Sequence, residues 1–228
     1  MQILMVLSSH DRVGDRGPKT GVSLEEFAAA YYAFKDAGAD ITLASPSGGQ
    51  PPIDPRRDGS DGQSDIVKRF KVDFVARTAL ADTLLLEQVA PEDFDAVFYV
   101  GGHGAAWDLP EDPISQGVIA AVHAAGRPLA LVGHGVAALR HVVDAGGYSL
   151  VRGRRVTAVA NAEEEAMGFA EFLPFLLEDE LARLGGLYSS GPEETSHVVR
   201  DGALITGQNR HSAGDVARAV LEILLRSA

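Results

Sequence analysis

The chain has 228 residues, 46% hydrophobic and 23% charged, a composition typical of a globular protein with one substantial core. Its 20 basic and 32 acidic residues give a net charge of −12, which opposes binding to nucleic-acid phosphates and to anionic membrane surfaces. The chain contains no cysteine, which excludes disulfides, thiolate metal sites and catalysis by a cysteine of its own.

Short apolar runs of strand length alternate with amphipathic stretches along the chain. The predicted strands cover 2–7, 40–44, 95–100 and 129–132, and the predicted helices cover 24–38, 78–88, 113–126 and 136–145. Between the second strand and the second helix lies a long Pro- and Gly-rich loop, residues 45–62. Near the C-terminus, residues 197–207 predict two short strands joined by a two-residue turn at Asp201-Gly202, and a last helix is predicted over 212–225.

This alternation predicts a doubly wound α/β fold, a mostly parallel, flavodoxin-like sheet flanked by helices, with a small C-terminal β-hairpin. No linker or repeat divides the sequence, so we expect one domain over residues 1–228. No apolar run approaches the roughly 18 residues of a membrane span, and the first residues lack the order of a signal peptide. We therefore expect a cytoplasmic protein with a small-molecule ligand and neither nucleic acid nor membrane as partner.

The polar chemistry follows the predicted strands that end near Leu7, Val100 and Val132. Ligands of open α/β sheets bind outside the carboxyl ends of the strands, so these three loops predict the site. A zinc site would need three convergent histidine or carboxylate groups, and no spacing in the sequence specifies one. We expect no metal and no cofactor.

The stretch LVGHGVAALR, residues 131–140, has the layout of a nucleophile elbow, a strand that turns sharply into a helix between glycines. It contains no serine, cysteine or threonine. The elbow position is held in a strained backbone conformation that costs a residue with a Cβ about 1–3 kcal/mol. Glycine carries almost none of that cost, so a chain that needs no nucleophile gains stability by having glycine there.

Seven stretches together resemble the DJ-1/PfpI superfamily, which has the class I glutamine-amidotransferase-like fold, and within it the Hsp31-like branch. They are SSHDRVGDRGPKTGVSLEE, YYAFKDAGADITLASPSGGQPPIDP, VGGHGAAWDLPED, GHGVAAL, NAEEEAMGF, PFLLEDEL and HVVRDGALITGQN. The resemblance covers nearly the whole chain. It implies that the family's reactive cysteine falls on Gly133, and that the Gly-Gly-His turn supplying oxyanion-directed amides falls on residues 101–103. The family forms homodimers, which implies one here.

The resemblance also identifies the candidate site. The catalytic candidates are Glu26, His134 and Glu164, and the substrate-binding candidates are Gly102, His103, Gly133, Ser23, Asp108, Arg210 and His211. Compared with the branch, Ser23 stands where tryptophan is common, and Arg210-His211 stands where a Pro-Ala pair is common. These departures predict an enlarged pocket whose added cation suits a larger anionic or polar ligand.

Each candidate also has a purely structural interpretation. Ser23 and Glu26 form an S-x-x-E capping box, which satisfies backbone amides at a helix start. His134 could pair with Glu164 for structure alone, and His103 could contribute only its backbone amide. Asp108 is typical of a turn or cap residue. Arg210 and His211 are residue types that often face solvent in loops.

Two functions remain open from the sequence. The first is a cofactor-independent enzyme without a nucleophile, using acid/base catalysis and oxyanion stabilisation for hydration, elimination, cyclisation or isomerisation of a carbonyl- or imine-bearing small molecule, with specialised metabolism as a candidate setting. This interpretation excludes thiol-dependent glyoxalase, peptidase and amidotransferase activity. The second is a ligand-binding or chaperone-like protein without catalysis. An engineered Cys-to-Gly variant of a thiol enzyme is a third possibility. The departures at Ser23 and Arg210, and Val136 where the branch commonly has proline, oppose it.

Overall fold

A computed structural model describes residues 1–14, 17–57 and 64–227 of the chain. Its main sheet has seven strands in the order β3-β2-β1-β4-β5-β9-β8. These strands are β1 (Gln2–Val6), β2 (Asp40–Ser45), β3 (Leu84–Leu85), β4 (Ala96–Tyr99), β5 (Leu129–Val132), β8 (Val198–Asp201) and β9 (Leu204–Gly207). All neighbours run parallel except the β8 and β9 pair. Two further strands, β6 (Arg155–Val156) and β7 (Leu187–Tyr188), form a separate parallel pair.

Seven α-helices are described alongside these strands. They are α1 (Leu24–Asp36), α2 (Asp65–Val72), α3 (Phe74–Ala81), α4 (Pro113–Ala124), α5 (Asn161–Met167), α6 (Leu177–Arg183) and α7 (Ala213–Ser227). Within the described ranges, no helix is both long enough and apolar enough to cross a bilayer.

The sheet is buried on both faces, and its central strands are apolar at nearly every position, Gln2 at the start of β1 being an exception. In β1, Ile3 and Met5 belong to one buried cluster, together with residues of α1 and α7, whereas Leu4 and Val6 belong to a second cluster that includes residues of α4 and α6. Side chains of a strand alternate between faces, so continuous apolar strands require cover on both sides. The predicted doubly wound α/β fold is confirmed.

Two predicted helices end differently in the structure. The helix predicted over 78–88 is wrong beyond residue 81, where α3 ends, because the chain then forms β3, whose Leu84 pairs with Ala44 of β2. The helix predicted over 136–145 is a 3-10 helix over Gly133–Leu139. Gly135 packs so closely that a Cβ there would lie 2.8 Å from the Tyr99 carbonyl oxygen. Helices α2, α5 and α6 were not predicted, and residues 58–62 of the predicted loop lie outside the described residues.

The C-terminal hairpin is present, but its register differs from the prediction. Asp201 pairs with Leu204, so the connecting residues are Gly202 and Ala203 rather than Asp201 and Gly202. Gly202 has a φ of +62°, the left-handed conformation that favours glycine at this turn. The second hairpin strand, β9, also pairs in parallel with β5, so the hairpin extends the main sheet.

Candidate active site

The first turn of α1 places Glu26 at the carboxyl edge of the sheet. Ser23 caps this helix by accepting a hydrogen bond from the Glu26 amide at 3.4 Å. The Glu26 side chain is buried, and its Oε2 has no hydrogen-bond partner among the described residues. Burial raises the pKa of Glu26 to about 7, although His134 and Ser23 act in the opposite direction. Glu26 is therefore a carboxyl group able to take up and release a proton near neutral pH.

Two glycines lie against the Glu26 carboxyl group, and a third, Gly102, packs on the backbone that precedes α1. Gly133, at the end of β5, has a φ of +54°, and a Cβ on it would lie 2.9 Å from Glu26 Oε2. A Cβ on Gly101 would come within 2.1 Å of the same oxygen. Gly102 has a φ of +115°, and a Cβ there would come within 2.3 Å of the Gly21 carbonyl oxygen. The absence of side chains lets the carboxyl group pack directly on the backbone of the elbow and of the 101–103 turn.

Two buried histidines share one buried carboxylate behind this turn. His134 Nε2 lies 2.5 Å from Glu164 Oε1, and His103 Nε2 lies 3.4 Å from Glu164 Oε2. The two imidazole rings lie 4.0 Å apart between centroids. The charge of His134 also lowers the pKa of Glu26, and both side chains line the same cavity. The arrangement links the predicted catalytic candidates Glu26, His134 and Glu164 in one cluster.

The pKa values of this cluster are shifted in different directions. Burial lowers the pKa of His134, but the Glu164 carboxylate outweighs burial, and the net pKa is raised. Burial, and then the charge on His134, lower the pKa of His103 to about 4. Burial raises the pKa of Glu164, but the two histidines outweigh it and hold the net pKa well below the ordinary value. At neutral pH, Glu164 is therefore ionised and His103 is neutral.

A cavity of about 820 Å³ opens in front of Glu26 and the histidines. Of the candidates, its lining contains Ser23, Glu26, Gly102, His103, His134, Arg210 and His211. Gly133 lies against Glu26, and Glu164 lies behind the two histidines, so neither lines the cavity. Apolar cover comes from Phe169, Met167 and Val159, which the sequence did not single out as site residues.

Asp108 does not belong to this cavity. One carboxylate oxygen accepts hydrogen bonds from the Ser8 hydroxyl and from its neighbour's amide at Leu109, each at 2.8 Å. The other oxygen accepts from the Ser9 amide at 2.6 Å. The predicted substrate-binding role of Asp108 is corrected to a structural one, because its carboxylate is used in tying the loop after β1 to the loop after β4.

Arg210 and His211 reach the mouth of the cavity but are paired there with carboxylates. Arg210 pairs with Glu194, and its Nε lies 3.4 Å from Glu25 Oε2. His211 Nε2 lies 3.3 Å from Glu194 Oε2. The expected cation for an anionic ligand is therefore neutralised by the neighbouring acids.

Arg56 is a site residue that the sequence analysis missed. Its Nη2 lies 2.7 Å from His103 Nδ1, and its guanidinium carbon lies 4.0 Å from the centre of the Phe169 ring. Its Nε also donates to Asp54 Oδ1 at 2.8 Å. The segment PPIDP was part of the family resemblance, but nothing in its local pattern connects it with a histidine 47 residues later.

His103, His134 and Glu164 also bring potential metal ligands within 4.8 Å of one another. A metal bound at His103 Nε2 would need the ring hydrogen on Nδ1. Arg56 opposes that arrangement, because a guanidinium can only donate to Nδ1. The cluster is thus poorly suited to a cation, and the absence of a metal stays a prediction.

These features define a class, a doubly wound α/β protein with a buried carboxyl group packed on a glycine elbow. The chain belongs to the DJ-1/PfpI family, whose model matches residues 19–223. It resembles the structure of Rapid Encystment Protein 24 kDa from Francisella tularensis, with 34% identity, a TM-score of 0.92 and coverage of 98% of both chains.

Two fungal relatives connect the chain with a named activity. Glyoxalase III from Candida albicans matches with 26% identity and a TM-score of 0.85, over 97% of this chain and 96% of the other. Glutathione-independent glyoxalase HSP31 from Saccharomyces cerevisiae is 27% identical over 98% of both proteins. The chain therefore belongs to the DJ-1/PfpI family and has Hsp31-like glyoxalase III homologues.

These relatives correct the functional interpretation of the sequence. The sequence predicted an enzyme for hydration, elimination, cyclisation or isomerisation and excluded glyoxalase activity. That prediction and its non-catalytic alternative are not supported, because near full-length relatives are named glutathione-independent glyoxalases or glyoxalase III. The exclusion took the absence of a thiol as decisive.

Proposed function

We propose that this protein is a glutathione-independent glyoxalase that converts small 2-oxoaldehydes into 2-hydroxy acids. Two findings support the proposal: the named activity of the relatives and the position of Glu26. The observation that carries it is the buried carboxyl group at the glycine elbow, with its unpartnered Oε2 and a pKa of about 7. We infer that Gly133 occupies the position of the family's reactive cysteine, so this chain performs the reaction without a covalent intermediate.

The proposed reaction starts from the hydrated aldehyde, which has the same atoms as the product acid. The Glu26 carboxylate removes the hydrogen from C1, and the electron pair of that C–H bond forms the C1–C2 double bond of an enediolate. The negative charge moves onto the C2 oxygen, where His134 and the amides of the 101–103 turn stabilise it. Glu26 then returns the proton to C2, and the proton of one C1 hydroxyl passes to the C2 oxygen. C1 thereby becomes the carboxylic acid and C2 carries the hydroxyl group.

The test uses purified protein and methylglyoxal without glutathione, with lactate measured directly. We expect lactate formation by the natural sequence and a fall in kcat of at least about 100-fold in Glu26→Gln, the usual size of an acid/base contribution. Glu87→Gln, an exposed carboxylate far along the chain, is the matched control and should keep full activity. Near-ultraviolet circular dichroism of each variant checks that its packing is retained.

Two results would overturn the proposal. One is a failure of the natural sequence to form lactate from methylglyoxal, and the other is full activity in folded Glu26→Gln. The homodimer, the cytoplasmic location and the single domain over 1–228 stay predictions, and light scattering of the purified protein tests the first of them.

A further inference from the structure

Arg56 is held against the wall of the cavity from three directions. It lies in a 3-10 turn, Pro55–Arg57, and its side chain is 27% exposed. Asp54 accepts hydrogen bonds from two of its nitrogens, and the Phe169 ring lies against the guanidinium plane. Its Nη2 also donates to Thr20 Oγ1 at 3.4 Å and lies 2.7 Å from Nδ1 of His103. The guanidinium is therefore fixed rather than free to move away from the imidazole.

This contact determines where the hydrogen of the His103 ring lies. A guanidinium has donors and no acceptor, so Nδ1 must accept, and the hydrogen of the neutral ring must be on Nε2. That nitrogen faces Glu164 Oε2 at 3.4 Å. We propose that Arg56 is a positioning residue that fixes the Nε2–H tautomer of His103 and thereby assigns the positive charge of the histidine pair to His134.

The groups facing His103 all agree with this assignment. Arg56 lies on one side of the ring with Asp54 behind it, and His134 and Glu164 lie on the other side. His103 cannot be protonated while its Nδ1 accepts from Arg56, and two positive rings 4.0 Å apart would repel each other. The proton that Glu164 attracts is consequently kept on His134, next to Glu26.

The inference deepens the proposed function, because a positive His134 lowers the pKa of Glu26 against the effect of burial. The charge of Arg56 lowers the pKa of both histidines, but its direct contact is with Nδ1 of His103. Without Arg56, His103 is therefore freed to compete for the proton, and His134 is neutral for part of the time. Glu26 then requires a higher pH to ionise. The structural part of the inference does not depend on glyoxalase activity, so its test uses a spectroscopic signal as well as a rate.

The test compares the natural protein with Arg56→Met by long-range nitrogen–proton NMR of the histidine rings. In the natural protein, we expect the Nε2–H tautomer of His103, neutral throughout the range in which His134 titrates. In Arg56→Met, we expect the Nδ1–H form to appear and the pKa of His103 to rise by about 1 unit, because a nearby positive charge is lost. Arg56→Lys, which keeps a cation with donors only, should retain the original tautomer.

Arg210→Met is the matched control, since it removes the other arginine of the described cavity lining, which is not in contact with His103 in the structure. It should leave the His103 signals unchanged.

The inference is overturned if His103 has its hydrogen on Nδ1 in the natural protein, or if Arg56→Met leaves its tautomer and pKa unchanged. On the activity side, the acid limb of the pH–rate profile should move to higher pH in Arg56→Met. If the natural protein has no glyoxalase activity but the NMR results are as expected, the proposed function is rejected and the inference about Arg56 is not.

Discussion

Glu26 combines two properties that oppose each other at the scale of a single residue. Its carboxyl group is only 6% exposed, and yet its Oε2 has no hydrogen-bond partner among the described residues. Burying an ionised carboxylate without full compensation is costly, so the group binds a proton more tightly in the folded protein than in the unfolded chain. The raised pKa that suits a general base near neutral pH is thus a cost in stability.

The cost predicts how stability changes with pH. The pKa of Glu26 is about 7 in the folded protein against 4.5 for the ordinary group, so the folded state binds more protons between these values. Protonated Glu26 contributes its full stabilisation below the pKa of the unfolded chain. This contribution is lost as the pH rises through the pKa of Glu26 in the folded protein. At pH 8 the loss is about 3 kcal/mol, which Glu26→Gln should recover.

Urea unfolding of both proteins across the pH range measures this difference. We expect Glu26→Gln to gain stability relative to the natural sequence as the pH rises from acid to alkaline values. A difference between the two that stays constant with pH would show that the carboxyl group titrates normally.

At the scale of elements, helix α1 determines where the carboxyl group lies. The helix begins after Ser23, and Glu26 is in its first turn, facing the ends of β4 and β5. The capping interpretation of S-x-x-E and the acid/base interpretation are therefore compatible, since the serine caps the helix and the glutamate faces the cavity. The elbow after β5 and the turn after β4 meet this helix because both strands end at the same edge of the sheet.

The cap of α1 should therefore affect activity as well as stability. Ser23→Ala removes the acceptor for the Glu26 amide, which should cost about 1 kcal/mol of unfolding free energy. The loosened first turn displaces the Glu26 carboxyl group, and we expect kcat for methylglyoxal to fall about 10-fold.

Asp73→Ala is the matched control for this cap. Asp73 caps α3 by accepting from the Ala76 amide at 3.0 Å and is not part of the cavity lining. It should lower stability with kcat unchanged. Equal changes in kcat in the two variants would show that activity does not depend on the position of the first turn of α1.

At the scale of the whole molecule, the cavity shares the acidic character of the chain. Among the described residues that line it, six carboxylates accompany two arginines, and both arginines are paired with acids. The six are Glu25, Glu26, Asp54, Glu163, Glu193 and Glu194. Its volume of about 820 Å³ also leaves room for a substrate larger than a three-carbon aldehyde. Size and charge together favour bulky neutral substrates over anionic ones.

Substrate charge should therefore affect the proposed glyoxalase reaction. We expect kcat/KM for phenylglyoxal to exceed that for 4-carboxyphenylglyoxal by about 10-fold at low salt, and the ratio to fall as salt screens the carboxylates. Replacing Glu25 and Glu193 with glutamine should also reduce the ratio. A preference for the anionic aldehyde would show that the charge at the mouth does not control entry.

The amino-acid sequence was sufficient to predict the fold class, the position of most main strands within one or two residues, and the elbow at Gly133. These features depend on hydrophobic alternation and turn residues, which act over a few neighbouring positions. The family resemblance added Glu26, His134 and Glu164, and the structure brings them together. The resemblance did not predict the reaction, because the absence of a thiol excluded glyoxalase activity, for which the relatives are named.

The contacts between distant segments became known from the folded structure. Arg56 meets His103, and Asp108 meets Ser8, 100 residues earlier, while Arg210 meets Glu194 and Glu25. The hairpin register was also decided this way, because β9 pairs with β5 as well as with β8. Pairings of this kind depend on which loops the sheet order brings to one edge, and a local pattern of residues has no information about that order.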